Sequence, residues 1–246
     1  MKVADNPGAN RIIFAKHVPI WCALTQHWRE VVVEGIGTFI LVFAGTGAVM
    51  VDQLTDGSIT HLGISFVFGA VVAAMIYATG HISQAHINPA VTLAFWAGGF
   101  FPRRKVLPYV IAQCLGAVIA SGLLLISLGS VGNLGATLPL DGNWSQALVL
   151  EIVLTFILMF VILGSGLDRR APQGFAGLAI GLTVGLEAAF MGPITGASMN
   201  PARSLGPALI SGTLDYHWVY WVAPIVGAQL AVAVYRILSC NFRDIE

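Results

Sequence analysis

An all-α membrane protein, with six transmembrane helices and two re-entrant half-helices in an inverted repeat, is the fold this sequence predicts. Three observations lead there. Of 246 residues, 57% are hydrophobic and only 10% charged, against roughly 25% charged in soluble domains. Six apolar stretches, about 31–51, 62–79, 106–128, 146–166, 174–191 and 218–238, are each close to the ~20 residues that cross a bilayer. The chain also repeats itself with three spans per copy, so the second copy must enter the bilayer from the side opposite to the first.

The repeat is carried by three matches in one order. Glu34-Gly-Ile-Gly-Thr38-Phe39-Ile40-Leu41-Val-Phe43 returns as Glu151-Ile-Val-Leu-Thr155-Phe156-Ile157-Leu158-Met-Phe160, an offset of 117. Gly80-His81-Ile82-Ser83-Gln-Ala85-His86-Ile-Asn88-Pro89-Ala90 returns as Gly192-Pro-Ile194-Thr195-Gly196-Ala197-Ser198-Met-Asn200-Pro201-Ala202, an offset of 112. Tyr109, Ala112, Gly116 and Ala117 align with Tyr220, Ala223, Gly227 and Ala228 at 111. Residues 31–240 therefore read as one membrane domain, with repeats at about 31–128 and 146–238. Residues 1–30 are an N-terminal extension without the pattern of a signal peptide, and 241–246 a short C-terminal tail.

Basic residues near short loops favour the cytoplasmic side. With six spans and both termini inside, eleven of the twelve Lys and Arg fall on that side, among them Arg29, Arg103, Arg104, Lys105, Arg169, Arg170 and Arg236. Both ends of the chain are thus expected in the cytoplasm. The twelfth, Arg203, falls at membrane depth. Net charge is zero, which gives no reason to expect a nucleic acid. Cys22, Cys114 and Cys240 lack metal-ligand spacing and suggest no disulfide framework. No cofactor, nucleophile or metal cluster is indicated.

Asn88-Pro89 and Asn200-Pro201 are helix starts, since Asn caps well and Pro at the first helical position has no N–H to waste. Residues 88–99 would make about 18 Å of helix, short of a hydrocarbon core of about 30 Å, so each is a half-span. The preceding stretches, 80–87 and 192–199, read as irregular backbone, which membrane depth allows only inside protein or beside a wet cavity. Gly80, His81, Ile82 and Ser83, with Thr195, Gly196, Ala197 and Ser198, are the expected lining backbone. Inversion aims both half-helices at one central point with their positive ends. Such a point repels cations, while the Asn88 and Asn200 amides can bond a neutral molecule.

The pairing of His86-Ile87-Asn88-Pro89-Ala90-Val91-Thr92 with Met199-Asn200-Pro201-Ala202-Arg203-Ser204, together with Glu34 and Glu151, resembles the aquaporin or major intrinsic protein family over roughly residues 30–240. The resemblance implies that family's fold, a passive channel for water and small neutral solutes that excludes ions, a homotetramer with one pore per subunit, and a multi-pass place in the plasma membrane. It assigns the selectivity filter to Arg203 with Phe68, Ala188 and Ala197. Water-selective members usually have His at the position of Ala188; two methyl groups here imply a wider, more apolar constriction, similar to the glycerol-conducting and nodulin-like branches. Ser204, Ala208, Tyr220 and Trp221 instead resemble the water-selective branch. Steric width acts directly on the solute, so the filter residues weigh more, and water plus glycerol, urea or metalloid acids is the expected range.

Glu34 and Glu151, buried carboxylates at equivalent positions, are expected to accept hydrogen bonds from the irregular backbone before each half-helix. Gly177, Gly181 and Gly185 form a small-residue stripe for close helix packing, and Trp218, Tyr220 and Trp221 an interfacial aromatic belt. Glu187 has no role readable from the pattern. A secondary transporter is the main rival, because inverted repeats and broken helices also build alternating-access sites; it would need a coupling-ion site. A membrane enzyme would need an acid, a base and a nucleophile together.

Overall fold

The computed structural model describes residues 20–239, with side chains from residue 27 on. Eight α-helices, α1 (Ile20–Leu54), α2 (Thr60–Ser83), α3 (Pro89–Ala97), α4 (Arg103–Leu128), α5 (Trp144–Ile162), α6 (Ala176–Thr195), α7 (Pro201–Ser211) and α8 (Val219–Leu238), and no strand are found among the described residues. All except α3 and α7 are long and apolar enough to cross a membrane. A π-turn (Leu163–Leu167) extends α5, and two 3-10 turns lie between α4 and α5. Helix α1, at 35 residues, is about 52 Å long. The N-terminal extension expected over 1–30 is already helical from Ile20, and Glu30 at its end is buried against Lys105 and Tyr109 of α4. Residues 1–19 and the 241–246 tail lie outside the described residues.

The two halves pack alike. Helix α1 lies on α4 and α5 on α8, while α2 crosses to α6 and joins the halves. Each short helix packs on the last span of the other half, α3 on α8 and α7 on α4. Glycines set the closest crossings. A Cβ on Gly116 would stand 2.2 Å from the Gly35 carbonyl oxygen, and one on the repeat-equivalent Gly227 the same distance from that of Ile152. At the α2–α6 crossing, a Cβ on Gly181 would meet the Gly69 carbonyl at 2.5 Å. Large side chains such as Phe66 and Ile126, 73% and 84% exposed, stand on the outside, where lipid replaces water as solvent.

The helices before the short ones run further than the sequence predicts. Residues 80–83 and 192–195 are helical, leaving only 84–87 and 196–199 irregular. Membrane depth drives this, since each backbone N–H and C=O there must be bonded internally. Pro193 does not stop α6, because the Ala189 carbonyl it deprives of an N–H donor is met by the His61 ring Nε2–H of α2 at 2.8 Å.

Candidate channel and selectivity site

Both irregular segments are held by one set of bonds used twice. Gln84 and Gly196 close α2 and α6 in left-handed backbone, φ 70° and 82°, donating to the Gly80 and Gly192 carbonyls. Glu34 on α1 accepts from Ser83 Oγ (2.7 Å), His86 N–H (2.9 Å) and Ile87 N–H (2.6 Å). Glu151 on α5 accepts from Thr195 Oγ1, Ser198 N–H and Met199 N–H, each at 2.8 Å. Tyr109 and Tyr220 donate to the Ser83 and Thr195 carbonyls (3.2 and 2.7 Å). His86 pairs with Thr92 (3.1 Å) where their counterparts Ser198 and Ser204 pair at 2.6 Å. Ala85, Ile87, Ala197 and Met199 all have φ between 40° and 52°, conformations that oppose an L side chain by about 1–2 kcal/mol each. The carboxylates that grip the neighbouring N–H groups hold this backbone in place.

The asparagines cap and cross-link at once. Asn88 Oδ1 accepts from Ala90 N–H (2.9 Å) and Asn200 Oδ1 from Ala202 N–H (3.0 Å), starting α3 and α7. Pro89 and Pro201 occupy the first helical positions, and Ala90 and Ala202 are wholly buried. Asn88 Nδ2 donates to the Met199 carbonyl (2.8 Å), and Asn200 Nδ2 to the Ile87 carbonyl (2.9 Å). The two helix N-termini therefore meet and are bolted together by one N–H of each amide. An amide nitrogen has two, so one remains for other partners.

A cavity of about 420 Å³ runs past this junction. Phe68, Ala188, Ala197 and Arg203 all line it, as do Asn88 and Asn200. The Arg203 guanidinium carbon stands 4.9 Å from the Phe68 ring centre, and Nη1 donates to the Gly135 carbonyl at 2.8 Å. Room for the Phe68 ring comes from Gly45 on α1, where a Cβ would meet it at 2.1 Å.

Of the backbone expected along the passage, Gly80, Ala197 and Ser198 line the cavity, joined by residues 84–87 and Met199. His81 and Ile82 do not: they are exposed on the outer face of helical α2. Ser83 and Thr195 turn to the glutamates instead, and Gly196 serves as the α6 cap. Sequence reasoning missed several participants. Gln113 ties Glu34 to Thr92 (2.8 and 3.0 Å); its counterpart at offset 111 is Pro224, so comparing the halves hides it. Gly135 and Thr137, in the connection between α4 and α5, bond Arg203 and Ser204, and nothing in the local sequence signals that. Tyr109 was visible as a repeat match without a role, whereas Tyr220, expected in an interfacial aromatic belt, is instead fully buried because its hydroxyl is needed at the Thr195 carbonyl.

A helical bundle whose two short helices meet tip to tip beside a cavity has the architecture of a membrane channel. The major intrinsic protein family matches residues 22–235, and the chain belongs to that family. It is 49% identical to Aquaporin NIP1-1 of Zea mays, covering 85% of this chain and 74% of that one, and 46% identical to Nodulin-26 of Glycine max, covering 85% and 78%. Aquaporin AqpM of Methanothermobacter marburgensis is 43% identical over 86% of this chain and 97% of its own. Among solved structures, the aquaglyceroporin from Plasmodium falciparum superposes with a TM-score of 0.79 at 27% identity, covering 89% of this chain and all of that one. The protein is a passive, multi-pass membrane channel for water and small solutes, and not an enzyme.

Proposed function

We propose that this channel conducts water and small neutral solutes such as glycerol, urea or metalloid acids, and rejects ions and protons at its centre and at one mouth. The observation that carries the reading is the junction of two asparagine-capped helix N-termini beside a single cavity. Each N-terminus adds about half a positive charge, which repels a cation or hydronium. The remaining amide N–H of Asn88 and of Asn200 orients a passing oxygen, and carbonyls of the cavity-lining residues 84–87 and 197–199 accept from it along the way.

Selectivity by size is assigned to Phe68, Ala188, Ala197 and Arg203. The guanidinium donates to solute oxygens and adds to the cation barrier; the ring supplies an apolar face; the two methyl groups leave width. Likeness to an aquaglyceroporin and to Nodulin-26 supports a range beyond water. The basic ends of α1 and α4 and the Arg236 end of α8 lie on one side, supporting cytoplasmic termini by the positive-inside rule. A plasma-membrane homotetramer with four separate pores is the assembly we infer.

Osmotic shrinkage of proteoliposomes tests the function. Water flux should exceed that of empty vesicles without an ion gradient, and glycerol or urea should follow when imposed as the osmolyte. Ala188→His should cut solute flux at least tenfold while water flux persists. Unchanged solute flux in that variant would remove Ala188 from the filter, and ionic current comparable to solute flux would overturn the reading as a whole.

A further inference from the structure

On its outer surface the α1–α4 pair forms a second hollow, a groove of about 330 Å³ with a wholly apolar wall. Gly35, Ala112 and Gly116 line its floor, and Val32, Phe39 and Leu115 its sides. It runs from residue 31 to residue 39 of α1, about 12 Å of helix, most of one leaflet's half of a ~30 Å hydrocarbon core. It therefore opens at one membrane face and ends near the midplane.

That face is basic. Stepping back along α1 from Val32 by one turn reaches Trp28, 54% exposed, with exposed Arg29 beside it. Stepping back along α4 from Leu115 in turns of three or four reaches Ile111, Pro108 and then exposed Arg104. Arg103 and Lys105 flank it, and Glu30, bonded to Lys105, is the carboxylate among them. Among the described residues there, Lys105 and Glu30 neutralise each other, and Arg103 and Arg104 stand exposed as further cations at the groove's mouth.

We propose that this groove is a binding site for an anionic glycerophospholipid, one acyl chain lying in the hollow and the phosphate seated on Arg103 and Arg104. Each part matches one part of the ligand. Glycines at the floor let a methylene chain approach the helix backbones as closely as another helix would. Arginine's planar fork bonds phosphate oxygens in pairs. Trp28 occupies the headgroup level that indole prefers. Neutral lipids fit the hollow but not the collar, and soluble phosphates the collar but not the hollow.

Native mass spectrometry of the delipidated full-length protein, titrated with phosphatidylglycerol or phosphatidylcholine of the same chains, tests this. Phosphatidylglycerol should be retained at least tenfold better. Replacing Arg103 and Arg104 with Ala should weaken its binding about fivefold per arginine and leave water flux unchanged. Val32→Trp, or Leu115→Trp on the facing wall, should fill the hollow and lower binding of both lipids alike. Equal retention of the two lipids, or arginine variants that keep the preference, would overturn the headgroup assignment. Wild-type binding in both tryptophan variants would overturn the groove as the chain site. A change of oligomeric state in those variants with lipid binding intact would give the groove to a second copy of the chain.

Discussion

Glu151 is completely buried and answers three donors from one stretch of backbone. Removing its carboxylate leaves two N–H groups and a hydroxyl unmatched, at about 1–3 kcal/mol each, beside backbone already held in left-handed conformations. Glu151→Ala is accordingly expected to lower stability by at least ~3 kcal/mol, read as a fall in the thermal midpoint in detergent, and to abolish water flux. Glu187 makes the opposite case. Only 2% exposed, it has neither carboxylate oxygen hydrogen-bonded among the described residues. A buried carboxyl without partners costs about 1–3 kcal/mol, so Glu187→Leu should raise the thermal midpoint, and a drop would point to a partner for it. The glutamates that matter were legible because repetition put both in one register. Gln113 and Gly45 were not, the first because its counterpart is a proline, the second because nothing but the Phe68 ring distinguishes it from any small residue of a span.

Helix ends were the least readable part of the elements. Gly80, Gly192 and Pro193 are residues that break helices in water, and a reading by type stops α2 and α6 one turn early. The bilayer reverses that preference, and the His61 bond to Ala189 that makes it possible spans 128 residues of sequence. Glycine stripes were easier, since close packing leaves its mark on residue size. At the α2–α6 crossing, Gly69 follows Phe68, and the Gly181 stripe continues toward Ala188, so the crossing also spaces two of the residues proposed as the filter. Gly181→Val should cost about 1–3 kcal/mol by overpacking and reduce water flux; a variant with normal midpoint and flux would show that the helices can part freely. At the end of the π-turn, Asp168 is clasped by Arg170 (2.9 and 2.6 Å) and by the Tyr235 hydroxyl (2.7 Å). The guanidinium, with the hydroxyl second, holds this carboxyl well below the usual carboxylate range. A group depressed by folding stabilises at pH values above its unfolded value, about 3.9, and loses that contribution as pH falls through its folded value. Thermal midpoints of the wild type and Asp168→Asn should therefore differ by a constant amount from pH 7 to about 4 and converge below.

Across the whole molecule, length and hydropathy were enough to count the spans, and the repeat to expect one half inverted on the other. What no single half discloses is the joint between halves: Asn88 reaches the carbonyl of Met199, and Asn200 that of Ile87. The sequence points both asparagines at the same place but, read as pore donors alone, leaves them independent.

That joint also imposes an order of events during synthesis. When the first three spans have left the ribosome, the acceptor for Asn88 lies 111 residues downstream and has yet to be translated. The opening turn of α3 must then wait half-fastened in the membrane until α7 arrives to latch it, so the conduit closes in a single late step that a chain truncated before residue 199 can never take.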